Sequence, residues 1–514
     1  MRQIGFKNFR RFENFPSMDL APITIFVGEN NAGKSTVVKG ILALSDFLNR
    51  QKSDYLDSFL EGIDRNSEKE KKNAVIKILK NQKFYFNTSY LAHIGTFKRA
   101  LFNRSNEGVI TFFTSIGTMG ITIDVLGDKN DEESVSGIIS NITIEDNEFG
   151  LKESFDLQND IAKVRFAPIS SDEIERGTFP EKITDLYNQY PEPIEFSFCI
   201  SDYLDYFDYY LAPDFISALA SSVEDAIEVT LEPKTAKKMA DTGWFGKLQP
   251  ISDIDENSKQ FLKTYEKIYK KRYRTGTRMR LRMFNIEYLY AHAVTQTVIY
   301  SAKDTNDYLS RTIHEFASIP KADDDYQRTF ITQWMGEFGI GHDYSITSVG
   351  GEAHIVKIQN KDGEWVNLSD KGMGSIQLMV LLFRLAITLP KSRRKAKSRV
   401  SRIIIIEEPE QNLHPMLQSK LADLLFRLNE DYGYRFIIET HSEYLIRKTQ
   451  VIVKENFNDE KRPLKENPFK VFYFNSSESE KPYYEIIYQK DGSFSNDFGK
   501  GFFDEASNLA FEIL

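Results

Sequence analysis

Gly28-Glu29-Asn30-Asn31-Ala32-Gly33-Lys34-Ser35-Thr36 fits the pattern G-x-x-x-x-G-K-[ST]. The apolar run Ile23 to Val27 precedes it, and a run with helical spacing, Thr36 to Leu48, follows. Strand, glycine-bearing loop and helix in this order are the context in which the pattern cradles phosphates. Gly28 and Gly33 let the backbone curl, so that N–H groups across Asn30, Asn31 and Ala32 face inward on an anion. The helix that opens at Ser35-Thr36 adds its partly positive N-terminus. In this pattern the Lys34 ammonium reaches the β- and γ-phosphates and the Ser35 hydroxyl ligates Mg²⁺. The expected ligands are therefore a nucleoside triphosphate and Mg²⁺.

A second segment supplies acids. Arg402-Ile403-Ile404-Ile405-Ile406-Glu407-Glu408-Pro409-Glu410 reads as a strand buried on both faces, with carboxylates at its C-terminal end. Open α/β sheets bind their ligands at that end. Glu407 is assigned to the metal, directly or through water, and Glu408 to the water that attacks the γ-phosphate. Ser369, Gly372 and Gly374 come before a helix start, where free N–H groups attract a phosphate. His441, in Glu439-Thr440-His441-Ser442, closes the next strand and is expected to hydrogen-bond the γ-phosphate or the attacking water.

Together these motifs resemble the ABC-type ATPase heads of the structural-maintenance-of-chromosomes and overcoming-lysogenization-defect groups. The segments that carry the resemblance are the phosphate loop, the serine–glycine segment, Glu-Glu-Pro-Glu with Asn412-Leu413-His414-Pro415, Thr-His-Ser, and Asn8-Phe9-Arg10 in the opening strand. The resemblance implies an α/β fold: an ABC-type P-loop ATPase head with a mixed β-sheet and a large, mostly helical insertion. It also implies a homodimer or higher homo-oligomer, with Ser369, Gly372 and Gly374 of one copy meeting nucleotide held by Lys34 of another. Asn412 and His414 are then expected at the seam. One departure is that Glu407 stands where the family has aspartate. The family's glutamine between magnesium and insert has only Gln82 as a candidate. Tyr484 to Gln489, Asp491-Gly492 and Gly501 to Glu505 are similar to a C-terminal domain of unknown function found on some of these ATPases. By resemblance the role is a sensor or scaffold of an anti-phage complex that controls a separate effector.

Bulk properties bound these readings. With 514 residues the chain has room for about two to four domains. A single cysteine, Cys199, excludes an internal disulfide framework and fits a reducing cytoplasm. The N-terminus lacks an apolar signal core, and Ile376 to Leu389 is interrupted by Arg384 and too short for a bilayer span. No membrane partner is expected. The net charge of −9 leaves only local patches for nucleic acid.

Four regions are expected: 1–200, the N-terminal part of the ATPase domain; 201–345, the mostly helical insertion; 346–455, its C-terminal part; and 456–514, a small C-terminal domain. Strands are expected at Ile4 to Phe12, Val109 to Ser115, Ile121 to Leu126, Ser140 to Ile144, Ala162 to Ala167 and Ile194 to Ile200. Helical spacing marks Ala220 to Ala226, Ser258 to Tyr269, Asn285 to Val298 and Asn306 to Ser318. Lys361-Asp362-Gly363 predicts a hairpin between Ala353–Gln359 and Trp365–Leu368. No heptad series predicts a long coiled coil. Within 270–282 seven cations interleave with Tyr273, a pattern that suits nucleic acid, a solvated basic helix face or a protein-docking surface. The basic run from Lys391 to Arg402 reads as a solvated linker, with contact to nucleic acid or a partner as the alternative. Asp202, Asp205 and Asp208 read as an acidic helix face rather than a metal site. The tail is expected to lack the acidic nuclease module of the lysogenization-defect group. A DNA-repair or chromosome-maintenance ATPase and a nucleotide-binding pseudo-ATPase remain as alternatives.

Overall fold

A computed structural model describes residues 1–50, 83–87, most of 94–166, 193–199, 286–289, 297–301, 307–319, 326–390, 402–458, 465–475, 481–499 and 502–512. In chain order its strands begin β1 (Gln3–Phe9), β2 (Phe12–Asp19), β3 (Ile23–Gly28), β4 (Lys83–Tyr85), β5 (Val109–Ile116), β6 (Met119–Leu126) and β7 (Ser136–Asp146). They continue β8 (Leu151–Asp156), β9 (Ile161–Phe166), β10 (Ile194–Cys199), β11 (Ile286–Leu289), β12 (Tyr300–Ser301), β13 (Asp343–Val349), β14 (Ala353–Gln359) and β15 (Trp365–Asn367). The last are β16 (Ile403–Glu407), β17 (Arg435–Glu439), β18 (Phe469–Phe474) and β19 (Tyr483–Ile486). The helices are α1 (Lys34–Arg50), α2 (Phe97–Ala100), α3 (Tyr308–Ala317), α4 (Tyr326–Glu337), α5 (Met373–Thr388), α6 (Pro415–Tyr432), α7 (Glu443–Phe457) and α8 (Glu505–Glu512).

The chain divides into two units, Met1–Asp19 with Thr36–Phe284, and Leu20–Ser35 with Asn285–Leu514. The first unit is built on an antiparallel sheet in the order β10-β9-β8-β7-β6-β5-β1-β2, with β4 on β7. Ile110 and Phe112 alternate with outward residues, as do Ile121, Ile123 and Val125, so the sheet presents one apolar face. Phenylalanines dominate it: the Phe84 and Phe112 rings stack at 4.6 Å, and Phe9 and Phe112 lie 5.2 Å apart. Phe47 of α1 stacks on Phe84 at 5.3 Å.

The second unit carries the phosphate loop. Its six-stranded sheet has the order β11-β16-β17-β3-β18-β19, parallel except for β19. Ile403 to Ile406 are all buried, as a central parallel strand requires. α5, α6 and α7 contribute to the same apolar core as Ile25, Val27, Ile404, Ile406 and Ile438. α6 starts on Pro415 behind the His414 cap and stops at Gly433, whose φ is +70°. The expected hairpin is present as β14 and β15. The α/β class with a mixed sheet is thus the observed one.

One element differs. Asn285 to Val298 was expected as helix, yet Ile286–Leu289 is strand β11, paired in parallel with Ile403–Ile406. Its apolar residues fit a short run of either period, and the free edge of β16 offers a backbone ladder that decides between them. The helix expected over 306–318 is present as α3. The readings at 220–226, 258–269, 270–282, 391–399, Asp202 to Asp208 and Gln82 lie outside the described residues. Among the described residues no helix is long and apolar enough to cross a membrane.

Arg384 lies within the apolar helix α5. It pairs with Glu287 of β11 and Glu315 of α3, and its side chain is only 12% exposed. A buried pair broken on one side leaves an uncompensated charge. Arg384→Met is therefore expected to destabilise the fold by about 3–5 kcal/mol. Glu287→Gln with Arg384→Met should cost less than Arg384→Met alone, as read by chemical denaturation.

Candidate functional site

The loop between β3 and α1 has the curl that the motif demands. Gly28, Asn31 and Gly33 have φ of +127°, +59° and +108°. Gly28 is required twice over: its φ suits glycine, and a Cβ there would stand 2.3 Å from the Phe474 carbonyl of β18. Asn30 and Asn31 are exposed, Ala32 and Gly33 are buried, and Thr36 is half-buried in the first turns of α1. The Lys34 ammonium, only 4% exposed, donates to the carbonyls of Gly28 at 3.0 Å and Glu29 at 2.9 Å. Burial lowers its pKa, opposed by the charges of Glu439, Glu408 and Glu29.

Parallel pairing brings the acids to this loop. Glu407 and Glu439 are register partners at the ends of β16 and β17, and Glu439 is the partner of Phe26 in β3. The Ser35 hydroxyl lies against both oxygens of Glu439, at 2.9 and 3.0 Å. Burial pushes the Glu439 carboxyl up to about 7, with Glu407 and Glu408 adding to the rise and Ser35 and Lys34 opposing it. Hydroxyl and carboxylate oxygens are the donors a hard divalent cation prefers, so this set fits magnesium.

Glu408 is held from several sides. Its φ of +45° is a left-handed conformation that costs a non-glycine residue about 1–3 kcal/mol. Its N–H donates to the Glu439 carbonyl at 2.7 Å, the Gln411 amide donates to its carboxylate, and the Gln377 amide reaches its carbonyl at 3.5 Å. His441 is exposed beside it. Partial loss of water around the ring and the charge of Lys34 lower the His441 pKa, and Glu408 opposes them. The neutral imidazole this favours can accept as well as donate a hydrogen bond. The His441 N–H is anchored by the buried Glu410 carboxylate at 2.6 Å.

The serine–glycine segment leads into the start of α5. Ser369 sits in the short turn Leu368–Asp370 and donates to Asp370 at 3.3 Å, and Gly372 caps α5. Gly374 packs against the Asn412 loop, where a Cβ would meet the Asn412 carbonyl at 2.5 Å. Gln377, one turn further along α5, touches both Asn412 and Glu408. Within one chain, then, Lys34, Ser35, Glu407, Glu408 and His441 share one neighbourhood. The closest packing of Gly374 is against the segment that follows Glu408.

A family model described as AAA ATPase domain matches residues 1–446, which is most of the 514 residues. The chain belongs to the AAA ATPase domain family. No curated protein matches it. Among solved structures, this AAA ATPase domain is similar to the Smc head domain with an extended coiled coil bound to the C-terminal domain of ScpA, from Pyrococcus furiosus. That match has 9% identity, covers 100% of this chain and 98% of that chain, and has a TM-score of 0.31. It is also similar to the SMC head domain from Thermotoga maritima, with 9% identity, coverages of 95% and 100%, and a TM-score of 0.30. A further match is the SmcHead bound to the C-winged helix domain of ScpA, with 9% identity, coverages of 94% and 97%, and a TM-score of 0.35. These likenesses are distant.

Sequence reasoning left Glu439, Glu410, Gln377 and Gln411 without roles. For Glu439 a signal was present: like Glu407, it ends an apolar strand. Glu410 also yields a test. Burial raises its carboxyl above the usual range, against hydrogen bonds from His441 and Thr440. An acid with a raised folded pKa favours folding when protonated and loses that contribution as pH rises. Glu410→Gln keeps an acceptor for His441. The melting temperature of this variant relative to wild type is expected to be more favourable at pH 8 than at pH 4.5.

Proposed function

We propose that this AAA ATPase domain binds ATP with magnesium and hydrolyses it, acting as an ABC-type head that assembles as a homodimer or higher homo-oligomer. The observation that carries the reading is the convergence of Lys34 and Ser35 with Glu407, Glu408, Glu439 and His441 at the C-terminal ends of three adjacent parallel strands.

In this reading Lys34 turns from its loop carbonyls to the β- and γ-phosphates, and the N–H groups from Gly28 to Ser35 hold the remaining oxygens. The oxygens of Ser35 and of the neighbouring glutamates hold magnesium, which supplies charge neutralisation on the phosphates. Glu408 orients the attacking water and accepts its proton. The strain at Glu408 and its grip by Gln411 keep the carboxylate in one orientation. His441 hydrogen-bonds the γ-phosphate. Ser369, Gly372 and Gly374 are the groups that a second copy contributes to nucleotide held by Lys34. The finer biological reading, a sensor or scaffold that controls a separate effector in an anti-phage complex, is supported by the motif resemblance.

Lys34→Ala is expected to reduce ATP affinity and turnover together. Glu408→Gln is expected to lower turnover by about 100-fold or more with ATP binding retained, the range for loss of a general base. Phosphate release and nucleotide titration on the same preparations check both. Unchanged turnover in Glu408→Gln contradicts its role, and tight ATP binding with no wild-type turnover converts the reading to a nucleotide-controlled scaffold.

A further inference from the structure

We propose that Glu439 is the protein carboxylate that, with Ser35, holds the magnesium of the bound nucleotide, in the place the sequence pattern assigns to Glu407. The inference rests on the nucleotide reading of the site.

Two oxygens at right angles on magnesium, each bonded at about 2.0–2.1 Å, stand about 2.9 Å apart. The Ser35 hydroxyl and the Glu439 carboxylate oxygens already stand 2.9 and 3.0 Å apart. A cation can therefore enter between them with little movement of either side chain. The hydroxyl that the phosphate-loop motif gives to the metal is thus oriented by Glu439.

Glu439 is 6% exposed and feels both Glu407 and Glu408, against the ammonium of Lys34. A buried carboxylate that feels two further negative charges is stabilised by a divalent cation bound at its oxygens. Glu407, on the neighbouring strand, is half-buried, and Ser35 bonds to Glu439 rather than to it. Glu439 also has a fixed backbone, because its carbonyl accepts from Glu408 and the next N–H, Thr440, donates to Phe26 at 3.1 Å. A metal ligand on a central strand is held more precisely than one at a loop.

Glu439→Gln is the informative variant, because its amide can still hydrogen-bond Ser35 while the charge is lost. With the full chain, ADP affinity is measured by calorimetry in EDTA, and Mn²⁺ affinity of the protein–ADP complex by electron paramagnetic resonance. Glu439→Gln is expected to weaken Mn²⁺ binding by about 10-fold or more, with metal-free ADP affinity within about two-fold of wild type, and Glu407→Gln to lose less. Unchanged Mn²⁺ affinity in Glu439→Gln, or a larger loss in Glu407→Gln, overturns the proposal. An equal loss of metal-free ADP binding in Glu439→Gln also overturns it, assigning Glu439 to loop structure alone. Failure of the wild type to bind ADP overturns the nucleotide reading instead.

Discussion

The contact between the Ser35 hydroxyl and the Glu439 carboxylate joins positions 404 residues apart. It exists because β3 and β17 are parallel neighbours, so that the loop leaving one strand and the acid ending the other meet at the same sheet edge. The other site groups follow from that pairing. Glu407 is in register with Glu439, the Glu408 N–H binds the Glu439 carbonyl, and His441 lies two residues further along. Parallel strands thus do more than build a core: they set the distance between the cation of the phosphate loop and the acids that face it.

That arrangement concentrates charge. Three carboxylates act on one another near a buried ammonium, and burial drives Lys34 down and Glu439 up. The backbone carries a further cost at Glu408, whose left-handed conformation persists because Gln377, Gln411 and the Glu439 carbonyl surround it. Crowded acids and a strained residue at one strand end are features that folding alone does not favour and that phosphate chemistry can use. Gln377 also ties the helix behind Gly372 and Gly374 to the Glu408 carbonyl and to the Asn412 amide, each at 3.5 Å. It joins the start of α5 to the C-terminal end of β16.

Much of this was legible from local chemistry. The phosphate loop, the four isoleucines before Glu407 and the Asp-Gly hairpin each carry their own physical reason within a few residues. Strand β11 was not legible, since Ile286 to Leu289 becomes strand only where an edge of β16 stands open. Glu439 was equally hidden: its letter ends a strand as Glu407 does, but only strand order reveals which acid meets Ser35. The role of Glu410 depends on burial beneath the His441 N–H, which no spacing encodes.

The central claim is that the segment Gly28 to Thr36 and the strand ends Glu407–Glu408 and Glu439–His441 form one triphosphate site. Calorimetric titration of the full chain with ATP and magnesium tests it most directly. The account predicts saturable binding of one ATP per chain. The absence of binding, or binding at a stoichiometry well above one, contradicts it.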